Sequence, residues 1–271
     1  MRISVITPSY NSKCFLETTV KSVLQQRESG VDLEYIVLDG GSDDGSLDIL
    51  EKYRAEIDQL VVERDTGPAN ALNKGLSLAT GEVVAWLNAD DIYFPETLKR
   101  VALTLSCHPN ASFCFGRCPI VDEEGKEIRT GITRFKEIFF PVSSAFTHQC
   151  INYLSQPALF FTRSAVEAAG PLREDMVAAW DYEYFLRLWR YGGGVRMKGD
   201  PLAAFRWHSG SISGQHFKIQ FQEEYEAAKA DAGALSMQTG LHYCVRWGIV
   251  AIYSLMSTFR ERSQRKLEDR A

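Results

Sequence analysis

The chain is 271 residues long, 45% hydrophobic and 24% charged, a balance expected of a soluble globular protein with a substantial core. Its formal charge of −5 leaves no basic field to neutralise phosphates, which excludes nucleic acid as the main partner. The six cysteines are scattered, and Cys114 and Cys118 lack a second close pair. Reduced, mostly buried thiols of a cytosolic protein are therefore expected rather than a zinc cage.

Residues 2–7 read as a first strand that starts directly after Met1, so no secretory leader is expected. Pro8-Ser9-Tyr10-Asn11 stops it. Leu16, Val20, Val23, Leu24 and Arg27 then recur at threes and fours, the period of a helix. A second apolar run, residues 34–38, ends in Asp39-Gly40-Gly41-Ser42-Asp43-Asp44-Gly45-Ser46. The glycines permit a tight turn, and Ser46 is placed to cap a helix carrying Leu47, Leu50 and Ile57 inward. Residues 60–62 predict a third strand, and Pro68 suits the first position of the next helix, which Gly81 ends. The run Val83-Val84-Ala85-Trp86-Leu87 has the composition of a strand buried on both faces, and it stops in Asn88-Ala89-Asp90-Asp91. Strands alternating with helices in this way imply a right-handed, parallel α/β arrangement.

After a helix at 95–106 the grammar changes. Residues 112–121 and 127–132 suggest a hairpin around Asp122-Glu123-Glu124-Gly125, and 133–155 read as an irregular stretch covering the site. A strand is expected at 157–162, a short helix at 164–169, a helix at 181–191 and extended chain at 195–207. Beyond His216 the tail is mostly helical. Residues 247–256 are apolar but too few to cross a bilayer, which takes about 20, and Arg260, Arg262, Arg265 and Lys266 follow. Such a segment either makes peripheral contact with an anionic membrane surface or packs on the body of the protein or on a second copy in a homo-oligomer.

In open α/β sheets, ligands bind beyond the carboxyl ends of the strands, so residues 7–10, 39–42 and 88–91 share one edge. Carboxylates there can hold a hard cation such as Mg²⁺ or Mn²⁺ under a nucleoside diphosphate. Alternatively, Asp90-Asp91 forms a turn or caps the helix that follows. No G-x-G-x-x-G and no Walker sequence follows a strand, so neither a dinucleotide nor a P-loop nucleotide is indicated.

The ordered set Ile3-Ser4-Val5-Ile6-Thr7-Pro8-Ser9-Tyr10-Asn11, Tyr35-Ile36-Val37-Leu38-Asp39-Gly40-Gly41-Ser42, Asn73-Lys74-Gly75, Ala79-Thr80-Gly81-Glu82, Trp86-Leu87-Asn88-Ala89-Asp90-Asp91 and Pro95 resembles family 2 glycosyltransferases of the GT-A fold. A looser match continues in Asp181-Tyr182-Glu183-Tyr184-Phe185-Leu186-Arg187-Leu188 and Phe205-Arg206-Trp207-His208-Ser209-Gly210-Ser211. The resemblance implies an α/β, Rossmann-like, mostly parallel sheet with flanking helices and a C-terminal helical tail. Residues 1–110 would be the donor-binding half, 111–215 the acceptor-binding and catalytic half of the same domain, and 216–271 the tail. It further implies that Pro8, Tyr10 and Asp39 hold the nucleotide base, usually uracil, and that Asp65 and Lys74 line the nucleotide pocket. Asp90 would ligate the metal, and His208 would touch the metal or the diphosphate. Asn88 stands where many members have the first Asp of a D-x-D, and Asn can still bond a ribose hydroxyl. Asp181 matches the family's general base, with Trp180 where an E-D pair is common.

On the residues alone, Asp181 shares a helical face with Phe185 and Leu188 at spacings of four and three, whereas Glu183 and Arg187 form a solvated pair on another face. Asp181 is then either an inward-pointing base or the cap of its helix. His208 is either a ligand or a hydrogen-bonded surface residue, and His148 and Cys150 read as structural. The expected activity is metal-dependent, inverting transfer of a sugar from a nucleotide-sugar, usually a UDP-sugar, to a hydroxyl of a glycan or lipid-linked acceptor. It would serve polysaccharide or glycolipid assembly, in the cytoplasm or on the inner membrane face. A sugar-phosphate nucleotidyltransferase and a non-catalytic nucleotide-sugar binding protein are the other readings.

Overall fold

In the computed structural model, which describes residues 1–248, strand and helix alternate to Cys107 as the periodicity predicts, save for a two-residue strand at Ile92–Tyr93. The elements are β1 (Arg2–Ser9), α1 (Lys13–Leu24), β2 (Asp32–Asp39), α2 (Ser46–Lys52), β3 (Gln59–Val62), α3 (Pro68–Leu78), β4 (Val83–Trp86), β5 (Ile92–Tyr93) and α4 (Thr97–Cys107). They are followed by β6 (Phe113–Phe115), β7 (Ile120–Val121), β8 (Glu127–Ile128), α5 (Thr130–Glu137), α6 (Ala145–Cys150), β9 (Leu159–Thr162) and α7 (Arg163–Ala169). Then come α8 (Trp180–Leu188), β10 (Gly194–Arg196), β11 (Ala203–Arg206), α9 (Ile212–Gln215) and α10 (Phe217–Ala232). The chain is helical again from residue 237 to 248.

The main sheet runs β10-β6-β9-β4-β1-β2-β3, with β4 at its centre and no residue of β4 more than 1% exposed. An uninterrupted apolar run is what that position requires. Alternate residues of β1 serve the two faces. Ile3 and Val5 pack with Leu16 and Val20 of α1 and Leu98 of α4, while Ile6 packs with Leu72 of α3 and Phe185 of α8. The ladders are parallel except at β9, which runs antiparallel to both β4 and β6. The expected strand at 157–162 is therefore present, shortened and reversed.

At the amino edge of the sheet the buried carboxylate of Glu34 accepts hydrogen bonds from Ser4 Oγ at 2.5 Å and from the Thr80 amide at 2.6 Å. Burial acts to raise its proton affinity, but these donors, the Thr80 hydroxyl and the Arg2 charge outweigh it and hold the carboxyl below its ordinary value. Gly81 follows Thr80. A Cβ there would stand 2.6 Å from the Ser4 amide nitrogen and 2.8 Å from the Arg2 carbonyl, so only glycine lets the chain enter β4.

A second sheet, β5-β11-β7-β8, lies at the carboxyl edge. β11 pairs antiparallel with β5, Ala203 opposite Tyr93 and Ala204 opposite Ile92. The chain beyond Ala204 consequently runs back alongside Asp91 and Asp90. On the outside, Ala227 and Ala228 of α10 pack on Tyr182 and Leu186 of α8 and on Ala179 just before it.

Several local expectations change. The hairpin is confined to β7 and β8, and residues 130–137 are helix. The stretch expected to be irregular, 133–155, contains most of α5, a 3₁₀ turn and α6, whose cap Ser144 accepts the Thr147 amide. Ser46 is not a cap: Gly45 takes that place with φ 97°, and Asp44 accepts the Ser46 amide. Pro68 does open its helix. The helix expected from residue 95 begins at Thr97, after Glu96 in the left-handed region. Extended chain at 195–207 resolves into β10 and β11 with a turn at Gly199, φ 96°. No helix among the described residues is long and apolar enough to cross a membrane, and nearly all of the apolar and basic segment at 247–266 lies outside them.

Candidate active site

β4 ends at Trp86, and the chain turns at the carboxyl edge of the sheet, with the Asp91 amide donating to the Asn88 carbonyl. This turn separates the two carboxylates. Asp91 is fully buried, and its Oδ1 accepts the Arg206 amide of β11 at 2.8 Å. Burial pushes its carboxyl well above the ordinary range, the charge of Asp90 adds to this, and the Arg206 amide and charge oppose it. Asp90 stays partly exposed, and its Oδ2 lies 3.1 Å from His208 Nε2. The His208 ring rests on Phe15, centroids 4.9 Å apart. Buried Arg206 donates Nε to the Asp90 carbonyl and Nη1 to the carbonyls of Asp122 and Glu123. It thereby ties the carboxylate turn to the β7–β8 hairpin. Of the two readings of the pair, Asp91 takes the turn and Asp90 faces His208.

One carboxylate oxygen and one imidazole nitrogen this close, both partly open to solvent, fit a divalent cation that keeps water ligands and accepts phosphate oxygens. Among the described residues no group of three or more His, Cys, Asp or Glu side chains gathers to hold a metal unaided.

Along the same edge, Asp39 ends β2 and is 1% exposed. Its Oδ1 accepts the amides of Gly41 and Ser42, and its Oδ2 accepts the hydroxyls of Ser9 and Ser42. Four protein donors thus occupy its acceptor positions, and a ligand reaching Asp39 has to compete with them. Tyr10, exposed just after β1, converges with Asp65 on Gly40. A Cβ at Gly40 would stand 2.8 Å from Asp65 Oδ2 and 3.2 Å from Tyr10 Cδ2. Lys74 pairs with Glu63 at 2.7 Å. Asn88 Nδ2 donates to Gln156 Oε1 at 3.3 Å, and Gln156 Nε2 donates to the Trp86 carbonyl at 2.7 Å.

α8 starts against this edge, with the rings of Trp180 and Trp86 6.1 Å apart. Asp181 is its second residue, half-buried, and its Oδ1 accepts the Tyr182 amide at 2.7 Å. Phe185 and Leu188 are buried on its side of the helix, as the spacing predicts. It is not the cap. Ala179 holds that position, and the amides of Val177, Ala178 and Ala179 donate to the Glu223 carboxylate of α10 at 2.8, 2.9 and 2.9 Å. Burial pushes the Asp181 carboxyl up to about 6, against the Tyr182 amide and the Lys136 charge, which favour the anion. A carboxylate in that range can take a proton near neutral pH. His148 is buried as expected, Trp180 is core, and Trp207 carries the Arg129 guanidinium 3.8 Å over its ring.

Sequence reading missed Gln156 and Glu223, and named Arg206 only within a matching segment. The partners of Glu223 are backbone amides far away in sequence, which no local pattern announces.

The sequence matches the family model described as Glycosyl transferase family 2 over residues 4–168. It is 26% identical over 238 residues to an uncharacterized glycosyltransferase of Nostoc sp., covering 86% of this chain and 72% of that one. Among solved structures it is similar to S. aureus TarS 1–349 in complex with UDP-GlcNAc: TM-score 0.69, 21% identity, 86% of this chain and 66% of that chain. It is also similar to the mannosyltransferase PcManGT of Pyrobaculum calidifontis in complex with GDP-Man and Mn²⁺: TM-score 0.61, 19% identity, 96% of this chain and 79% of that chain.

Proposed function

The chain belongs to glycosyltransferase family 2, with the GT-A fold, and on that premise we propose that it is a metal-dependent, inverting enzyme that moves a sugar from a UDP-sugar to a hydroxyl of a glycan or lipid-linked acceptor. The observation that carries this reading is the approach of His208 to Asp90, two residues 118 positions apart whose side chains meet at the carboxyl edge of the sheet. Asp90 and His208 would hold the cation, Mn²⁺ or Mg²⁺, which when bound supplies positive charge beside the leaving diphosphate. The Mn²⁺ in the PcManGT complex supports that assignment, and the UDP-GlcNAc in the TarS complex supports a uridine donor.

In this reading residues 1–110 bind the donor. Pro8, Tyr10 and Asp65 surround the base, Asp39 shapes the loop beneath it, Asn88 faces the ribose, and Lys74 borders the pocket through its pair with Glu63. Residues 111–215 present the acceptor. Asp181 takes the proton of the acceptor hydroxyl as that oxygen attacks the anomeric carbon and the nucleoside diphosphate departs. One direct displacement inverts the anomeric centre. We further propose that the tail makes peripheral contact with a membrane surface, a reading supported by the exposure of Met237, Leu241 and Trp247 on the last described helix.

The test is incubation with a panel of radiolabelled nucleotide sugars and glycan or lipid-linked acceptors, with and without Mn²⁺. Label should pass to acceptor from a UDP-sugar only when the metal is present. Transfer undiminished by a chelator would overturn the metal assignment, and preference for a guanosine donor would overturn the uridine one.

A further inference from the structure

The chain from Gly170 to Ala179, between α7 and α8, forms no helix or strand, yet it delivers Asp181 to the site. Side chains of α3, α8 and α10 fasten it. Arg187 of α8 donates Nη2 to the Pro171 carbonyl at 2.9 Å and Nη1 to the Ala169 carbonyl. Asn73 of α3 accepts the Leu172 amide on Oδ1 at 2.8 Å. Its Nδ2 donates to the Leu172 carbonyl at 3.0 Å and to Glu174 Oε1 at 2.7 Å. Asn70, one turn earlier, donates to Glu174 Oε2 at 2.9 Å. At the far end, Glu223 of α10 accepts the Val177 amide on Oε1 and those of Ala178 and Ala179 on Oε2. Successive amides turned towards one point make a nest for an anion, and hydrogen bonds to a carboxylate are stronger than those to a neutral acceptor.

We propose that Asn73 and Glu223 are positioning residues for sugar transfer: they clasp residues 170–179 between α3 and α10 and so fix where Asp181 meets the acceptor hydroxyl. This rests on Asp181 being the base. Ala179 opens the first turn of α8, its carbonyl accepting the Glu183 amide, and Asp181 stands two residues beyond it. The direction in which Asp181 leaves the helix therefore follows from how residues 177–179 are held. Its own hydrogen bond, to the neighbouring Tyr182 amide, moves with the helix and cannot place it. The clasp is not what makes α8 a helix, because Phe185 and Leu188 bury the inner face and supply the packing that stabilises it. The two fasteners come from distant parts of the chain. Asn73 precedes Lys74 on α3, and Glu223 lies beyond residue 216 on α10. A general base works only within hydrogen-bond reach of the proton it takes, and a displacement of about 1 Å can cost about 10²-fold in rate.

The experiment is transfer kinetics of the full chain, with the donor and acceptor that the panel identifies, run as double-mutant cycles against Asp181→Asn. Glu223→Ala should lower kcat by about 10–10²-fold and leave the affinity for UDP with Mn²⁺ unchanged. Glu223→Gln keeps the shape and one acceptor oxygen, so its kcat should fall between those of Glu223→Ala and wild type. Asn73→Ala should lower kcat in the same direction. Because both residues act through Asp181, neither change should lower transfer by more than about twofold in the Asp181→Asn background. A loosened fold lowers transfer equally in both backgrounds. Equal losses overturn the proposal, as do wild-type kcat values in Glu223→Ala and Asn73→Ala. If Glu223→Ala does not fold, Glu223→Gln carries the same cycle. Asp181→Asn transferring near the wild-type rate is a different failure, that of the base itself, and it shows in the single variant before any cycle is closed.

Discussion

Asp90 and Asp91 are neighbours with opposite fates, and their substitutions should separate cleanly. Asp90 is partly exposed, so Asp90→Ala should leave the melting temperature unchanged and abolish Mn²⁺-dependent binding of UDP in calorimetry. Asp91→Ala strands the buried Arg206 amide and should cost about 1–3 kcal/mol of stability, read as a lower denaturation midpoint. Unchanged nucleotide affinity in the first, or unchanged stability in the second, would reverse the roles. Asp181→Asn should lower transfer by about 10²–10⁴-fold with donor affinity nearly untouched. Because the Asp181 carboxyl is raised to about 6, wild-type transfer should fall as pH drops through that value. The sign for stability is opposite. A raised carboxyl favours the fold at acid pH and loses that contribution as pH rises through about 6, so Asp181→Asn should melt higher than wild type near pH 8 and similarly near pH 4. Asp90 was legible because an apolar run ends at it, and His208 and Asp181 because they match a family pattern. The division of labour within the carboxylate pair was not, since the donor that buries Asp91 arrives from β11.

At the scale of elements, the first half of the chain could be read because each strand there is a short apolar run closed by Gly, Pro or Asp. The same features crowd two glycines. A Cβ at Gly75 would stand 2.5 Å from Ile6 Cγ2, and one at Gly81 would meet Ser4 and Arg2 backbone. A side chain at Gly75 can be accommodated by repacking, but backbone cannot step aside so easily. Gly81→Ala should therefore destabilise by about 1–3 kcal/mol, and by more than Gly75→Ala, as compared by urea unfolding. Equal effects would mean that the turn before β4 is softer than its contacts suggest. The second half resisted reading for a physical reason. Phe135, Ile138, Val142 and Phe146 are apolar yet exposed, so hydrophobic periodicity across α5 and α6 points nowhere. The direction of β9 was also hidden, because an apolar strand reads the same in either sense.

For the molecule as a whole, both halves contribute to a single sheet: β6, β9 and β10 come from beyond residue 110 and join β4 through β9. Residues before and beyond 110 are therefore parts of one body, and α10 joins it through α8 and the Glu223 carboxylate. The membrane reading of the tail is separable from catalysis. Deleting residues from Leu241 onward should release the protein from anionic liposomes, and binding of the full chain should weaken as salt rises. A full-length protein that never sediments with such liposomes would favour packing of the tail on protein.

The reversed strand β9 has a consequence for how the chain is made. When β4 leaves the ribosome, β1 is already available on one side, but its partner on the other is encoded about 75 residues later, a delay of roughly 4–15 s at ordinary elongation rates. For that interval the middle of the future sheet has a bare hydrogen-bonding edge made of Val83 and Val84, apolar and free of charge. Nascent chains crowded on one messenger would offer one another the same edge. Slow elongation lengthens this exposure, so the timing of β9 sets the window in which the newborn enzyme is vulnerable to aggregation.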